Sequence, residues 1–136
     1  MGIQFKEVKQ IEQTPLQSLY EDVEWYAYTR DVNQLQQALE SSLYVLSAWD
    51  NGQLVGLIRV VGDGLTIIYI QDILVLKSYQ NQGIATELMS KALEKFDHVR
   101  QKVLLTEEAP AVRHFYEKNG FQSCDQGTLV AFAKMN

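Results

Sequence analysis

The sequence is poor in the residues that usually announce special chemistry. Its 136 residues include one cysteine, two histidines and two prolines. A lone Cys124 forms no internal disulfide, and no Cys/His cluster offers a zinc site. No apolar run approaches the roughly 18 residues that a spanning helix needs. The most apolar stretch, 65–76, is broken by Gln71 and Asp72. The opening residues, MGIQFK, lack the apolar segment of a signal peptide, and Lys6 stands where a myristoylation motif takes Ser or Thr. The expectation is a cytoplasmic chain with no membrane partner and no metal. Positive charge is also short: 12 Lys and Arg stand against 17 Asp and Glu, a formal net charge of -5. That balance argues against a nucleic-acid partner. It leaves room for one small anion held by local geometry.

What is present suits one domain over residues 1–136. The chain is 46% hydrophobic and 10% aromatic, which excludes a disordered polymer. A chain of this length buries roughly 68% of its unfolded surface, so it needs no covalent staples.

The hydrophobic pattern gives the element order. Residues 3–8 alternate weakly, as a strand. Thr14-Pro15-Leu16-Gln17 reads as a helix start, with a Thr cap and Pro at the first position, running to about Tyr26. Asp31 reads as a second cap, with Leu35, Ala38 and Leu39 on one face. Strands follow over 43–49, 53–61 and 65–76, separated by Asp50-Asn51-Gly52 and Gly62-Asp63-Gly64 turns. From Gly83 to Phe96 the apolar spacing becomes helical. A short strand at 103–105 and a helix from Ala109 to Asn119 come next, with Gly120 as the stop. Residues 122–124 and 128–133 read as closing strands. Strand, helix, strand over 65–106 is a βαβ unit with parallel neighbours. The fold class is therefore α/β or α+β with one mixed sheet.

The most informative stretch runs from Ile70 to Leu88. A buried strand passes through a short loop into a helix with Gly83 in its first turn. A helix N-terminus carries unpaired N–H groups and a partial positive charge, which makes it an anion seat. Residues 81–86 contain no acid, and Gly83 and Ala85 are small. The loop has neither a P-loop Gly-Lys-Ser/Thr nor a three-glycine dinucleotide fingerprint. A plain strand-to-helix turn accounts for the same residues.

Gln80-Asn81-Gln82-Gly83-Ile84-Ala85 resembles the Q/R-x-x-G-x-G/A signature of the GNAT N-acetyltransferases. Ile70, Asp72, Ile73 and Val75 resemble the preceding strand of that family. Phe115-Tyr116-Glu117-Lys118-Asn119-Gly120-Phe121 resembles its second signature, F-Y-x-x-x-G-F. The resemblance covers the whole chain. It implies a mixed, mostly antiparallel sheet with a splayed parallel strand pair, flanked by four helices. It also implies acetyl-CoA as co-substrate, with no metal.

Carried over residue by residue, Gln80, Asn81, Gln82, Gly83, Ile84, Ala85 and Thr86 would cradle the pyrophosphate, mostly through backbone amides. Backbone groups at Ile73, Leu74 and Val75 would pair with the pantetheine arm. Tyr116 matches the tyrosine beside the acetyl-CoA sulfur, where a phenol can protonate a departing thiolate. Packing with Phe115 and Phe121 is its alternative role. Asp72 is the candidate base, placed by simple alternation with Ile68, Ile70 and Leu74; a structural, hydrogen-bonded Asp is the alternative. The acceptor pocket falls to Trp25, Tyr28, Arg59 and Tyr69, an aromatic wall suited to a small amine, with Arg59 available to an acceptor anion. One departure stands out. Many members carry Asn where this sequence has Ala109, so that contact is either lost or supplied otherwise, with Thr106 and Glu108 as the candidates.

The reaction this implies is acetyl transfer to the primary amine of a small molecule, by direct attack in a ternary complex. A protein or peptide N-acetyltransferase and a non-catalytic acyl-CoA-binding module are the alternatives. A C-terminal edge strand could pair two subunits into a homodimer.

Overall fold

The computed structural model describes residues 2–136. In chain order the elements are β1 (Ile3–Glu7), α1 (Gln13–Asp22), α2 (Tyr26–Thr29), α3 (Val32–Glu40), β2 (Tyr44–Asp50), β3 (Gln53–Gly62), β4 (Ile67–Val75), α4 (Ile84–Lys95), β5 (Gln101–Val103) and α5 (Pro110–Lys118). Single 3-10 turns lie at Lys77–Tyr79 and Cys124–Gln126. The chain divides into two compact units, one holding the residues up to Leu105 and the other Thr106–Asn136.

The first unit is built on a five-stranded sheet in the order β1-β2-β3-β4-β5. Every pairing is antiparallel except β4 with β5. The β2–β3 turn uses Asn51 and Gly52 at φ 49° and 80°, the left-handed pair that matches strand twist. The β3–β4 turn is held by Asp63, whose Oδ1 accepts the amides of Leu65, Thr66 and Ile67 at 2.9, 2.8 and 3.0 Å. Those bonds consume residues 63–66, so β4 begins at Ile67 rather than Leu65.

Helices cover both faces. A Cβ on Gly56 would stand 3.3 Å from Ile84 Cγ2 and 3.4 Å from Leu88 Cδ1, so Gly56 marks the α4 face of β3. Arg59, an odd number of residues along the same strand, faces the other way, toward Tyr20 of α1. Leu88, Met89 and Ala92 of α4 and Leu16, Leu19 and Tyr20 of α1 are fully buried. At roughly 1.5–3 kcal/mol per buried large apolar side chain, these two layers dominate the stability of the unit.

One irregularity decides the site. Arg59 pairs with Asp72, but Val60 pairs with Ile70, leaving Gln71 as an extra residue on β4. This β-bulge breaks the strict alternation. Cross-strand partners share a face, so Asp72 lies with Leu74 on the α1 face, whereas Ile70, opposite Val60, lies on the α4 face. The simple alternation of Asp72 with Ile68 and Ile70 is therefore corrected. The same shift brings Tyr69, opposite Val61, onto the face of Asp72.

Other expectations also change. Thr14 is not a cap; α1 begins at Gln13 after Glu12 and has no side-chain cap. The helix ends at Asp22, and Glu24 turns the chain at φ 66° before the single turn of α2. Asp31 does cap α3, accepting from the Gln34 amide at 3.0 Å. Residues 122–124 and 128–133 are not strands, and Cys124 is exposed. β-propensity alone does not make a strand; the backbone needs a neighbour to hydrogen-bond.

Candidate active site

The strand β4 runs beside β5 only at Ile67, Ile68 and Tyr69, opposite Gln101, Lys102 and Val103. Beyond Tyr69 the strand continues to Val75 with no strand partner on that side among the described residues of this unit. Ile73, Leu74 and Val75 lie in this open stretch, on the splayed side of the parallel pair. Val75 and Leu76 stay registered on the other side, with the Leu76 amide bonded to Val55 O at 2.9 Å.

The loop after β4 is tied down at several points. The Lys77 amide donates to Asp22 Oδ2 at 2.6 Å, and Tyr79 Oη donates to Asp50 Oδ2 at 2.6 Å. Gln80 folds back, its Nε2 donating to Val75 O at 3.0 Å. Its side chain therefore holds the loop. Asn81 and Gly83 have φ values of 64° and 87°. Nothing crowds the position of a Cβ on Gly83, so its requirement is conformational, not steric.

Helix α4 then opens without a side-chain cap, and its first acid is Glu87. Its first helical bond is Glu87 N to Gly83 O at 3.0 Å, so the preceding amides have no partner inside the helix. Ile84 is buried and anchors the turn, while Asn81, Gln82, Gly83 and Thr86 are exposed and Ala85 is half-buried. Replacing Gly83 with Ala forces a Cβ into left-handed backbone. We expect a loss of about 1–2 kcal/mol in urea unfolding; an unchanged midpoint would mean the turn relaxes without cost.

On the α1 face of β4 lies a buried polar cluster. Asp72 is 2% exposed and Arg59 7%. Arg59 Nε donates to Asp72 Oδ2 at 2.8 Å. Tyr20 Oη donates to the same oxygen at 2.9 Å and Tyr28 Oη to Oδ1 at 2.6 Å. Gln71 Nε2 donates to Tyr28 Oη at 3.0 Å, and Arg59 Nη1 to Ser42 Oγ at 3.4 Å. Burial and the Asp72 carboxylate hold the Tyr20 phenol well above its ordinary range and raise Tyr28 as well. Arg59 is held charged by Asp72 against its own burial.

Trp25, at 36% exposure, packs on this cluster, with its ring 6.0 Å from Tyr20 and 6.3 Å from Tyr28. Trp25, Tyr28, Arg59 and Asp72 are thus brought together, with Tyr69 half-buried on the same face. Arg59 differs from the expectation of a group open to an acceptor anion: it is spent on an internal ion pair. Tyr20 was not singled out from the sequence, because its spacing with Leu16 and Leu19 reads as an ordinary core stripe. Surface concavities of about 420 Å³ beside Val8 and Glu40, and about 430 Å³ beside Phe5 and Lys91, contain none of these residues. Among the described residues, no group of three or more His, Cys, Asp or Glu side chains could hold a metal ion, and no helix is long and apolar enough to cross a membrane.

The second unit carries Tyr116. Helix α5 starts with Ala109 in extended backbone and Pro110 at its first turn, and has no side-chain cap. At its end Gly120 takes φ 91°, the Phe121 amide bonds Tyr116 O at 3.0 Å, and the Gly120 amide bonds Glu117 O at 3.1 Å. This is a Schellman stop, completed by the Tyr116 and Phe121 rings at 5.9 Å. The F-Y-x-x-x-G-F spacing is therefore a device for fixing Tyr116. Half-burial raises its phenol above the ordinary value, and a hydrogen bond with Thr106 works in the opposite direction. Glu108 is committed to Arg113, which it meets at 2.7 and 2.6 Å.

A model of the family described as "Acetyltransferase (GNAT) domain" matches residues 11–134. The chain belongs to the GNAT acetyltransferases. A protein of Prochlorococcus marinus, an "uncharacterized N-acetyltransferase ycf52-like", is 29% identical over 94% of this chain and 72% of its own. The structure of a GNAT family acetyltransferase from Streptococcus pneumoniae has 36% identity and a TM-score of 0.88, covering 99% of this chain and 98% of that one. The structure of AAC(6')-Iy in complex with the bisubstrate analog CoA-S-monomethyl-acetylneamine has a TM-score of 0.68 at 15% identity and covers 100% of both chains. At that identity the likeness is one of fold. The chain is an acetyltransferase enzyme on the family match and these relatives.

Proposed function

We propose that this GNAT enzyme transfers the acetyl group of acetyl-CoA to the primary amine of a small molecule, by direct attack in a ternary complex. The observation that carries the reading is the course of β4. Its edge is open beyond Tyr69 and leads directly into an uncapped helix N-terminus. An open strand edge offers alternating N–H and C=O groups to an amide-bearing arm. The uncapped amides at Gly83 to Thr86 offer donors to a pyrophosphate. The two features lie in the order that such a ligand requires, so the residues fit it.

When bound, acetyl-CoA supplies an activated thioester. A phenol is protonated at neutral pH even at its ordinary pKa of about 10, and half-burial raises Tyr116 further, so its hydroxyl serves as a proton donor to a departing thiolate. Asp72 acts by position: its two oxygens receive three donors and hold Tyr28 and Arg59 in place. That occupancy supports the structural alternative for Asp72 over the free base. Trp25, Tyr28 and Tyr69 form the aromatic wall facing an amine, and rings attract cations.

Thermal unfolding tests the cofactor half of this reading. Acetyl-CoA or CoA at 100 times its Kd is expected to add about 2.7 kcal/mol of stability, with ATP giving no comparable shift. No shift at saturating acetyl-CoA would remove the proposal. An amine panel assayed for thiol release then tests the acceptor; turnover confined to peptides would replace the small-molecule reading.

A further inference from the structure

The bulge on β4 sets apart one side chain that the acetyl-transfer reading leaves without a task. Gln71 is the extra residue between the Arg59–Asp72 and Val60–Ile70 pairs, two positions past Tyr69, the last residue of β4 paired with β5. It is exposed, yet its side chain is held: Nε2 donates to Tyr28 Oη at 3.0 Å. An exposed polar side chain is ordinary. What sets Gln71 apart is that its orientation is imposed from the buried cluster behind it.

The chain of hydrogen bonds through that cluster runs in a single direction. A carboxylate only accepts. Tyr28 therefore gives its hydroxyl proton to Asp72 Oδ1, at 2.6 Å. With that proton committed, Tyr28 Oη can only accept, so the Gln71 amide turns its NH2 group toward it. Arg59 Nε and Tyr20 Oη, at 2.8 and 2.9 Å from Asp72 Oδ2, hold the far end in place. The Gln71 carbonyl oxygen Oε1 is the free end of the chain, and no hydrogen bond among the described residues uses it. A buried ion pair thus decides which end of an exposed amide faces outward.

The surroundings suit a cation. Tyr28 is half-buried, and the Trp25 ring stands 6.3 Å from it with 36% of the residue exposed. Ring faces attract cations, and a carbonyl accepts from N–H. The Arg59 guanidinium lies 5.9 Å from the Tyr28 ring, but its charge is matched by Asp72. The geometry points to Gln71 as a residue that binds the acceptor: its Oε1 accepts an N–H of the primary ammonium group beside the Trp25 and Tyr28 rings. Tyr28 and Asp72 act through it, as positioning residues. The inference deepens the acetyl-transfer reading and rests on it. Gln71 precedes Ile73, where the pantetheine arm is proposed to pair, by two residues, roughly 7 Å of strand.

Steady-state kinetics on the full chain test it, with thiol release followed over a panel of primary amines that includes benzylamine. Met has nearly the length of Gln and no strong acceptor. Gln71→Met is expected to raise the KM for the amine about 10–100-fold and to leave the KM for acetyl-CoA unchanged. Gln71→Glu is the deciding variant. A carboxylate offers the ammonium an acceptor but cannot donate to Tyr28 Oη. Binding of the acceptor predicts an amine KM at or below that of wild type for Glu. A role confined to bracing Tyr28 predicts that Glu does as much damage as Met. Gln71 is exposed, so both variants are expected to keep the wild-type melting temperature. Benzylamine added in the presence of CoA is expected to shift the Gln71 side-chain amide signals in a 15N spectrum, a readout that needs no turnover. Equal amine KM in wild type and Gln71→Met, or equal damage from Met and Glu, overturns the inference and leaves acetyl transfer standing. A wild type that acetylates no amine of the panel and shows no Gln71 shift overturns it together with the small-molecule reading; a thermal shift with acetyl-CoA then still supports the cofactor half.

Discussion

Replacing Asp72 with Ala is expected to cost about 3–5 kcal/mol of folding stability. The reason is the partner left behind. The side chains of Arg59 and Asp72 are 8% and 1% exposed. Removing the carboxylate leaves a guanidinium buried without a counter-charge, and also strips Tyr20 and Tyr28 of their acceptor. A loss of that size lowers the melting temperature by about 10–18 °C in a chain of this length. The double variant Arg59→Met, Asp72→Leu is expected to recover part of the loss, because an apolar pair escapes the desolvation penalty of the charges while the buried Tyr20 hydroxyl stays without its acceptor. Urea denaturation of both variants measures this. A cost below about 1 kcal/mol for Asp72→Ala would show that water reaches the pair. If the stable double variant keeps full turnover, Asp72 is neither a base nor a positioning residue.

Tyr116→Phe is expected to lower kcat about 100-fold and to leave the KM for acetyl-CoA nearly unchanged. The substitution removes one hydroxyl and keeps the ring that packs on Phe115 and Phe121, at 5.2 and 5.9 Å. The melting temperature should therefore hold. A role in packing alone predicts the reverse, with turnover kept by Phe and lost together with stability on Tyr116→Ala. Equal kcat in wild type and Tyr116→Phe would remove Tyr116 from the proton transfer.

Much of this arrangement is legible in the sequence because it is local. Asn51-Gly52 makes its hairpin, Asp31 caps its helix, and Gly83 and Gly120 sit where the backbone turns left-handed. Such signals depend on one residue and its neighbours, so they survive without knowledge of the fold. The two signature motifs are of the same kind: an uncapped helix entry and a Schellman stop.

The buried cluster was only half visible. Asp72 drew notice as an acid in an apolar strand, yet its partners come from far along the chain. Tyr20 reads as core, and Arg59 as a group for substrate, until the strands are paired. The bulge at Gln71 is invisible to alternation, since residues on both faces of β4 are buried.

The sequence by itself determined the order of the major elements as far as α5, the hairpin turns, the uncapped entry to α4 and the family. Each follows from short-range sterics and hydrogen bonding. It did not determine the separate turn of α2 or the absence of strands at 122–124 and 128–133. Only the tertiary structure decided which face Asp72 shares and that Arg59 is its ion-pair partner. Those outcomes depend on register and burial, which arise when distant segments compete for the same hydrogen bonds and the same dry space.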